Sequence, residues 1–310
     1  MSTAEQFTMT PRGPFSLAAS IRFLEGFAPA GYPGADQPVL RVAFPVEGGW
    51  TPVGVEVRQG GDGAVHARVF PAGAAPEREA VRAQLRRILS LDVDGTGFTR
   101  VGADDPVLGG LQRRYPGLRP VTFWSPYEAA CWAVISHRIR ITQAATVKAR
   151  LTERLGTATP LPDGPVTAFP APAVLRDAAG ELTGLGLAGR KPEWLRGIAE
   201  AALDGRLDAA RLRALDAADA LRELTALPGV GPFSAELILL RGAGATDVVP
   251  RSERRLRQAV RDAYRLPADV GDETLARISD RWRPYRTWVS LLLRTWREDE
   301  TGEIAGGRRV

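Results

Sequence analysis

What this 310-residue chain lacks narrows it quickly. Its single cysteine, Cys131, excludes an internal disulfide and cannot alone hold a zinc ion or an iron–sulfur cluster. One thiol also fits the reducing cytoplasm, where the protein is expected. Only two lysines occur, Lys148 and Lys191, so nearly all the positive charge is arginine. No stretch reaches the roughly 18 uncharged apolar residues of a membrane helix, and no membrane partner is expected. The start, MSTAEQFTMTPRG, has neither the basic residues nor the apolar run of a signal peptide. No metal site built from side chains is visible. His66 lies inside a strand pattern and reads as a core or surface residue rather than a ligand.

What is present points to a polyanion. The net charge is +5, with an isoelectric point near 9.8, and arginine suits bidentate phosphate binding. An alanine- and arginine-rich composition can equally reflect genomic base composition, so charge alone does not decide. Hydrophobic residues make up 44% of the chain, enough for genuine cores, and the length suggests two or three units.

Residues 1–115 read as a mixed unit. Val39–Pro45, Thr51–Gln59 and Ala64–Phe70 alternate, are rich in β-branched residues and are separated by glycine-rich turns, which predicts an antiparallel meander. Pro76–Leu91 has a helical period and should cover one face of that sheet. Residues 116–300 are helical with few interruptions, and 301–310 are expected to be a disordered tail. Pro126 starts a helix, and Ser136–Arg140 interrupts it before Thr142–Leu155. A helix ending near Leu227 leads through Pro228-Gly229-Val230-Gly231 into Pro232–Arg241, with Gly242 as the expected C-cap. A last helix over Asp272–Trp296 should be broken or kinked at Pro284.

The segment 218–242 is therefore a helix–turn–helix hairpin. Gly229 and Gly231 permit a sharp turn and the close approach of another molecule's backbone. Pro232 suits the first helical position, and the unpaired N–H groups of the next turn form a phosphate cradle independent of any side chain. A bare pair of glycines would more often mark an ordinary corner between helices.

The surrounding sequence changes that balance. LPGVGPFSAELILLRG followed by DVVPRSERRLRQAV resembles the hairpin and active-site helix of the 3-methyladenine DNA glycosylase II family, within the helix-hairpin-helix glycosylase superfamily. SPYEAACWAVISHRIRITQAATVKARL, LTGLGLAGRKPEWLRGIAEAALDGRLD and DRWRPYRTWVSLLLRTW resemble its other helices. GADQPVLRVAFPVEGGWTPVGVEV resembles the small β-domain of the bacterial long form. The resemblance covers about residues 7–297. It implies a mainly α protein with an N-terminal α+β domain: a small antiparallel sheet preceding the helix-hairpin-helix bundle.

The activity so implied is hydrolysis of the N-glycosidic bond of an alkylated or otherwise modified base flipped out of double-stranded DNA. A carboxylate near the anomeric carbon stabilises the positive charge developing on the sugar. Family members place an aspartate there, whereas the alignment puts Glu253 at that position. Its extra methylene shifts the charge by about 1.5 Å, and placement errors near 1 Å can cost about a hundredfold. The plain alternative is a first-turn acid paired with its arginine neighbours. Asp247, the other nearby carboxylate, reads as a loop anchor.

Phe233 occupies the position of the Schiff-base lysine of bifunctional relatives, which implies a hydrolase without lyase activity. Phe233 could stack on the base or pack in the core. Trp132 joins it in the expected base pocket. Leu237 and Arg294 fall where long-form relatives place aromatic pocket residues. A buried arginine would repel a cationic base unless a carboxylate pairs with it. Arg138 is the candidate wedge that fills the gap left by the flipped nucleotide, with His137 touching the opposite strand or capping the turn. Ser234, Arg251, Arg254, Arg257 and Arg286 are expected on phosphates, as are Arg283 and Tyr285, although a solvated basic face would look the same.

No cofactor is implied, beyond room for a monovalent cation on the hairpin's backbone carbonyls. The expected partner is lesion-containing duplex DNA, bound by a monomer associated with the nucleoid. The competing reading is a DNA-binding lesion sensor on the same fold with weak or lost hydrolysis.

Overall fold

A computed structural model describes residues 5–32, 38–178 and 180–302. The N-terminal sheet contains the predicted meander plus one strand. β1 (Glu5–Met9), β2 (Val39–Pro45), β3 (Pro52–Gln59) and β4 (Val65–Pro71) are antiparallel in the order β1-β4-β3-β2. β1 was not expected. Only Phe7 and Met9 mark its buried face, too short an alternation to stand out from a leader. The sheet packs its Val53, Val55 and Val57 face on α1 (Leu17–Gly26) and α2 (Arg78–Ile88). α1 also was not expected; its Ser16 accepts from Ala19 N–H and caps the first turn.

α3 (Phe98–Asp104) and α4 (Pro106–Arg114) follow, then α5 (Pro126–Ser136) and α6 (Ile141–Leu155). α5 starts where Ser125 accepts from Glu128 N–H at 3.0 Å with Pro126 at the first position. The proline-rich loop after α6 folds into a second small sheet, β5 (Thr157–Thr159) with β6 (Val166–Ala168). It lies on the remaining face of the first sheet, where Gly54 leaves room for Leu161 and Thr159.

The rest is helical: α7 (Pro172–Asp177), α8 (Lys191–Leu203), α9 (Ala209–Ala214), α10 (Ala217–Thr225), α11 (Pro232–Leu237), α12 (Arg254–Ala263), α13 (Asp272–Asp280) and α14 (Arg286–Thr301). Three boundaries differ from expectation, and one expected break is present. α11 continues as a wide π turn, Ile238–Gly242. Gly242 ends this turn rather than capping it, and a Cβ there would stand 2.9 Å from Pro126 Cα, so close packing on α5 requires the glycine. The last helical stretch is broken around Pro284 as expected, into α13 and α14 separated at 281–285. α14 runs to Thr301 and ends on Gly302 at φ +63°, so it takes in the first residue of the expected tail; 303–310 lie outside the described residues.

Among the described residues, hydrophobic side chains form three cores. One lies between the first sheet and α1–α2, and one unites α5, α6, α8 and the hairpin. The third joins α3 and α4 to α12–α14, burying Leu108, Trp282 and Trp288. The cores therefore divide the chain differently from a cut at 115/116: α3 and α4 pack with the C-terminal helices. Buried Arg87 of α2 ties the parts together, donating to Gly242 O (2.5 Å), Trp124 O (2.7 Å) and Phe123 O (3.3 Å) and pairing with Glu47. Burial pushes the Glu47 carboxyl up despite Arg87 beside it.

Candidate active site

The hairpin forms as expected between α10 and α11, and its two glycines stand in different surroundings. Gly229 is left-handed at φ +75°, and a Cβ would stand 2.6 Å from the Trp194 ring, so the fold itself demands glycine. Gly231 is extended (φ −97°), and a Cβ there would meet nothing within 4 Å. The chain's own packing gives no reason for glycine at 231. Pro228 closes the rear, packed against Gly197 of α8.

Beside the hairpin opens a cavity of about 620 Å³. α11 supplies Phe233, Ser234, Glu236 and Leu237; α14 supplies Leu291 and Arg294; Glu253 stands at the start of α12. α5 contributes Trp132, and the turn after it His137 and Arg138. One enclosure thus gathers Glu253, Phe233, Leu237, Arg294, Trp132, Ser234 and both wedge candidates. Its size lies within the range of small-molecule sites.

Glu253 is the N-cap residue of α12, its carboxylate accepting from Arg255 N–H at 3.1 Å. Arg294 lies within its electrostatic reach: burial lowers the Arg294 pKa, and Glu253 is the largest influence raising it. Two anchors hold the loop leading to Glu253. Asp247 accepts from Arg286 Nε at 2.7 Å and from Arg283 at 3.2 Å, as a loop anchor should. Glu236, 8% exposed, accepts from the backbone N–H groups of Arg251 (3.0 Å) and Ser252 (2.9 Å). Burial pushes the Glu236 carboxyl above its ordinary range. Glu236 thereby sets where Glu253 stands.

Phe233 is 50% exposed, which removes core packing from its two readings and leaves an apolar ring at the cavity's edge. Arg138 is exposed with φ +56°, held outward by a turn that few non-glycine residues adopt. His137 lies edge-on to Trp194, centroids 5.8 Å apart, and its N–H donates to Val134 O at 3.3 Å. Trp194 thus touches both the wedge turn and the hairpin. Lys191 Nζ donates to Ile135 O at 2.8 Å and secures the end of α5.

Two expected phosphate contacts have structural duties instead. Arg257 donates to Val270 O and Arg251 O (both 3.0 Å) and pairs with Asp272. Arg286 is spent on Asp247. Arg283 and Tyr285 are likewise occupied: Arg283 pairs with Asp280 at 2.8 Å, and buried Tyr285 donates to Asp94 O at 2.5 Å. A sequence of alternating charges does not reveal which arginines meet acids across a loop. Arg251 and Arg254 are exposed and form no ion pair among the described residues. They remain able to meet phosphate.

Four further residues escaped the sequence reading. Phe23 and Phe27 of α1 and Phe123 form a wall of the cavity. Arg241, in the π turn, lies with its guanidinium carbon 4.6 Å from the Phe27 ring centre and 5.1 Å from that of Phe23. It donates to Val121 O at 2.8 Å, and burial pulls its pKa down to about 10. The four-residue spacing of the two phenylalanines was the available signal, but it reads equally as core.

A sheet-capped bundle whose hairpin, wedge turn and carboxylate meet at one cavity defines the helix-hairpin-helix class. No protein-family model matches the chain. It is 24% identical over 222 residues to the DNA-3-methyladenine glycosylase of Bacillus subtilis, covering 71% of this chain and 73% of that protein. It is 30% identical over 198 residues to DNA-3-methyladenine glycosylase 2 of Escherichia coli, covering 62% and 66%. The solved 3-methyladenine DNA-glycosylase from Archaeoglobus fulgidus has the same fold, with a TM-score of 0.78 at 22% identity over 95% of this chain and 99% of that one. The chain belongs to the DNA-3-methyladenine glycosylase family.

Proposed function

We propose that this protein is a DNA N-glycosylase of base-excision repair that hydrolyses the bond between a modified base and its sugar without a lyase step. The observation that carries the reading is the single cavity that brings Glu253, the Phe233 edge and the Arg138 turn together beside the hairpin. Backbone N–H groups at Gly231 and the first turn of α11 hold a phosphate, with Ser234, Arg251 and Arg254 beside it. Arg138 occupies the space vacated by the extruded nucleotide, and the base enters between Phe233, Leu237 and Trp132. The Glu253 carboxylate stabilises the sugar cation as the base departs and orients the water that attacks it.

The absence of a lyase step is supported by lysine placement. Neither Lys148 nor Lys191 lines the cavity; Lys148 pairs with Glu128 at 2.7 Å and Lys191 holds α5. The site is complete within one chain, which supports action as a monomer on duplex DNA. A monovalent cation on the hairpin carbonyls belongs to the same proposal. Leu227 O already accepts from Val230 N–H at 3.2 Å, leaving that oxygen one lone pair for an ion.

The test is incubation with methylated DNA and with single-lesion duplexes, reading released bases, alkali-labile sites and borohydride trapping. Base release that disappears in Glu253→Gln, with no trapped adduct, is the expected result. Tight DNA binding without release of any base would favour a lesion sensor instead.

A further inference from the structure

On the reading above, the hairpin and the wedge turn act on the same nucleotide, yet among the described residues no hydrogen bond joins 136–140 to 227–231. One side chain lies against both. Trp194, half-buried in the first turn of α8, fills the place that a side chain at Gly229 would take: a Cβ there would stand 2.6 Å from its Cε3 and 2.7 Å from its Cδ2. Its ring meets that of His137 at a centroid distance of 5.8 Å and an angle of 71°, the edge-to-face geometry that aromatic pairs prefer. Both partners adjoin backbone that needs holding. Gly229 is left-handed at φ +75°, and Arg138, the residue after His137, is left-handed at φ +56° without being glycine. Such a conformation persists where its surroundings fix it. Trp194 is itself well held. Its backbone N–H donates to Arg190 O at 2.9 Å, and the Arg190 guanidinium carbon lies 5.7 Å from its ring centre. Lys191 Nζ, donating to Ile135 O at 2.8 Å, ties the same turn of α8 to the end of α5.

We propose that Trp194 is a positioning residue for base extrusion: it sets the wedge turn at a fixed distance from the hairpin, so that a phosphate held at the hairpin brings Arg138 to the gap left by the flipped nucleotide. This rests on the glycosylase reading above and on Arg138 as the wedge. An indole suits the task because it is large and flat and has only two side-chain torsions, so a place given to its face is passed on to its edge. Trp194 does not line the cavity, and it acts through His137 and Gly229. An edge-to-face contact shifts an equilibrium by up to about tenfold. The hairpin keeps supports of its own, Val230 N–H on Leu227 O at 3.2 Å and Pro228 against Gly197. Loss of the indole therefore falls on the seating of the wedge and spares the N–H groups that face a phosphate.

The experiment measures DNA binding rather than base release, so its failure is separate from failure of the glycosylase reading. Two duplexes of one sequence serve, one undamaged and one with a tetrahydrofuran abasic-site analogue beside a 2-aminopurine, whose fluorescence changes when a wedge enters the gap. The wild-type protein is expected to bind the abasic duplex about tenfold tighter than the undamaged one and to change its fluorescence. Trp194→Ala should lose most of that preference, as Arg138→Ala does. The affinity for undamaged duplex should stay within about threefold, and the double variant should be no worse than either single one. Trp194→Phe, which keeps a flat ring, should restore most of the preference. If Trp194→Ala fails to fold, Trp194→Leu takes its place, with the same loss expected beside the rescue by Trp194→Phe. An equal loss of affinity for both duplexes marks a structural role alone and overturns the inference, as does a preference that Trp194→Ala leaves intact. No preference in the wild-type protein, with base release observed, overturns the inference and the wedge role while the glycosylase reading stands. Coupling seen in a protein that releases no base overturns the glycosylase reading alone.

Discussion

The hairpin and the cavity lie side by side, yet they are built by opposite means. The hairpin offers backbone: two glycines, a proline and a row of N–H groups facing outward. The cavity is made of side chains drawn from α1, α5, the π turn, α12 and α14. Backbone groups treat every phosphate alike, so on the proposed reading the hairpin would serve any DNA. Discrimination between bases needs donors and rings at fixed places, and those come from elements far apart in the chain. General affinity and particular selection therefore reside in separable parts of one site.

The sharpest way to break that separation is Glu253→Gln. It should lower base release by about a hundred- to a thousandfold while leaving the affinity for undamaged duplex intact, as read by single-turnover kinetics beside a binding isotherm. A parallel loss of affinity would mean that the carboxylate also organises the hairpin. Gly229→Ala should act on the fold. Left-handed backbone costs a non-glycine residue about 1–2 kcal/mol, and the collision with Trp194 adds to it, so the melting temperature should fall by several degrees. Gly231→Asp should leave the melt unchanged, since nothing surrounds its Cβ, and weaken DNA binding about tenfold at low salt, with a shallower salt dependence. An affinity constant across the salt series would remove the phosphate role. The smallest effect is expected for Phe233→Ala. Losing a half-exposed stacking ring should cost about 1 kcal/mol, seen as weaker binding of lesion duplex relative to undamaged DNA.

The hairpin was legible because its logic is local. Glycine, proline and the helices flanking them are a few residues apart, and the meander of β2–β4 reads from alternation for the same reason. Glu253 was legible through resemblance, and its position at a helix start followed. What could not be read depends on distance in the chain. Glu236 looks like one more polar residue on α11 until the fold brings the Arg251 and Ser252 N–H groups to it. Arg257 and Arg286 look free until Asp272 and Asp247 are placed opposite them. Phe23 and Phe27 look like core. Only the closing of α1 over the π turn makes them a wall for the base, and no periodicity encodes which face of a cavity a ring will line.

That wall changes what the first thirty residues are for. The hairpin and its backing from α8 lie wholly within the helices after residue 116, but the cavity does not, and a protein cut there would strip α3 and α4 from the core they share with α12–α14. It would also lose Phe23, Phe27 and the Arg87 strut behind Gly242. The leading sheet, through its helix, thus belongs to the walls of the cavity rather than to a separate appendage, and on the proposed reading the two would share in receiving the base.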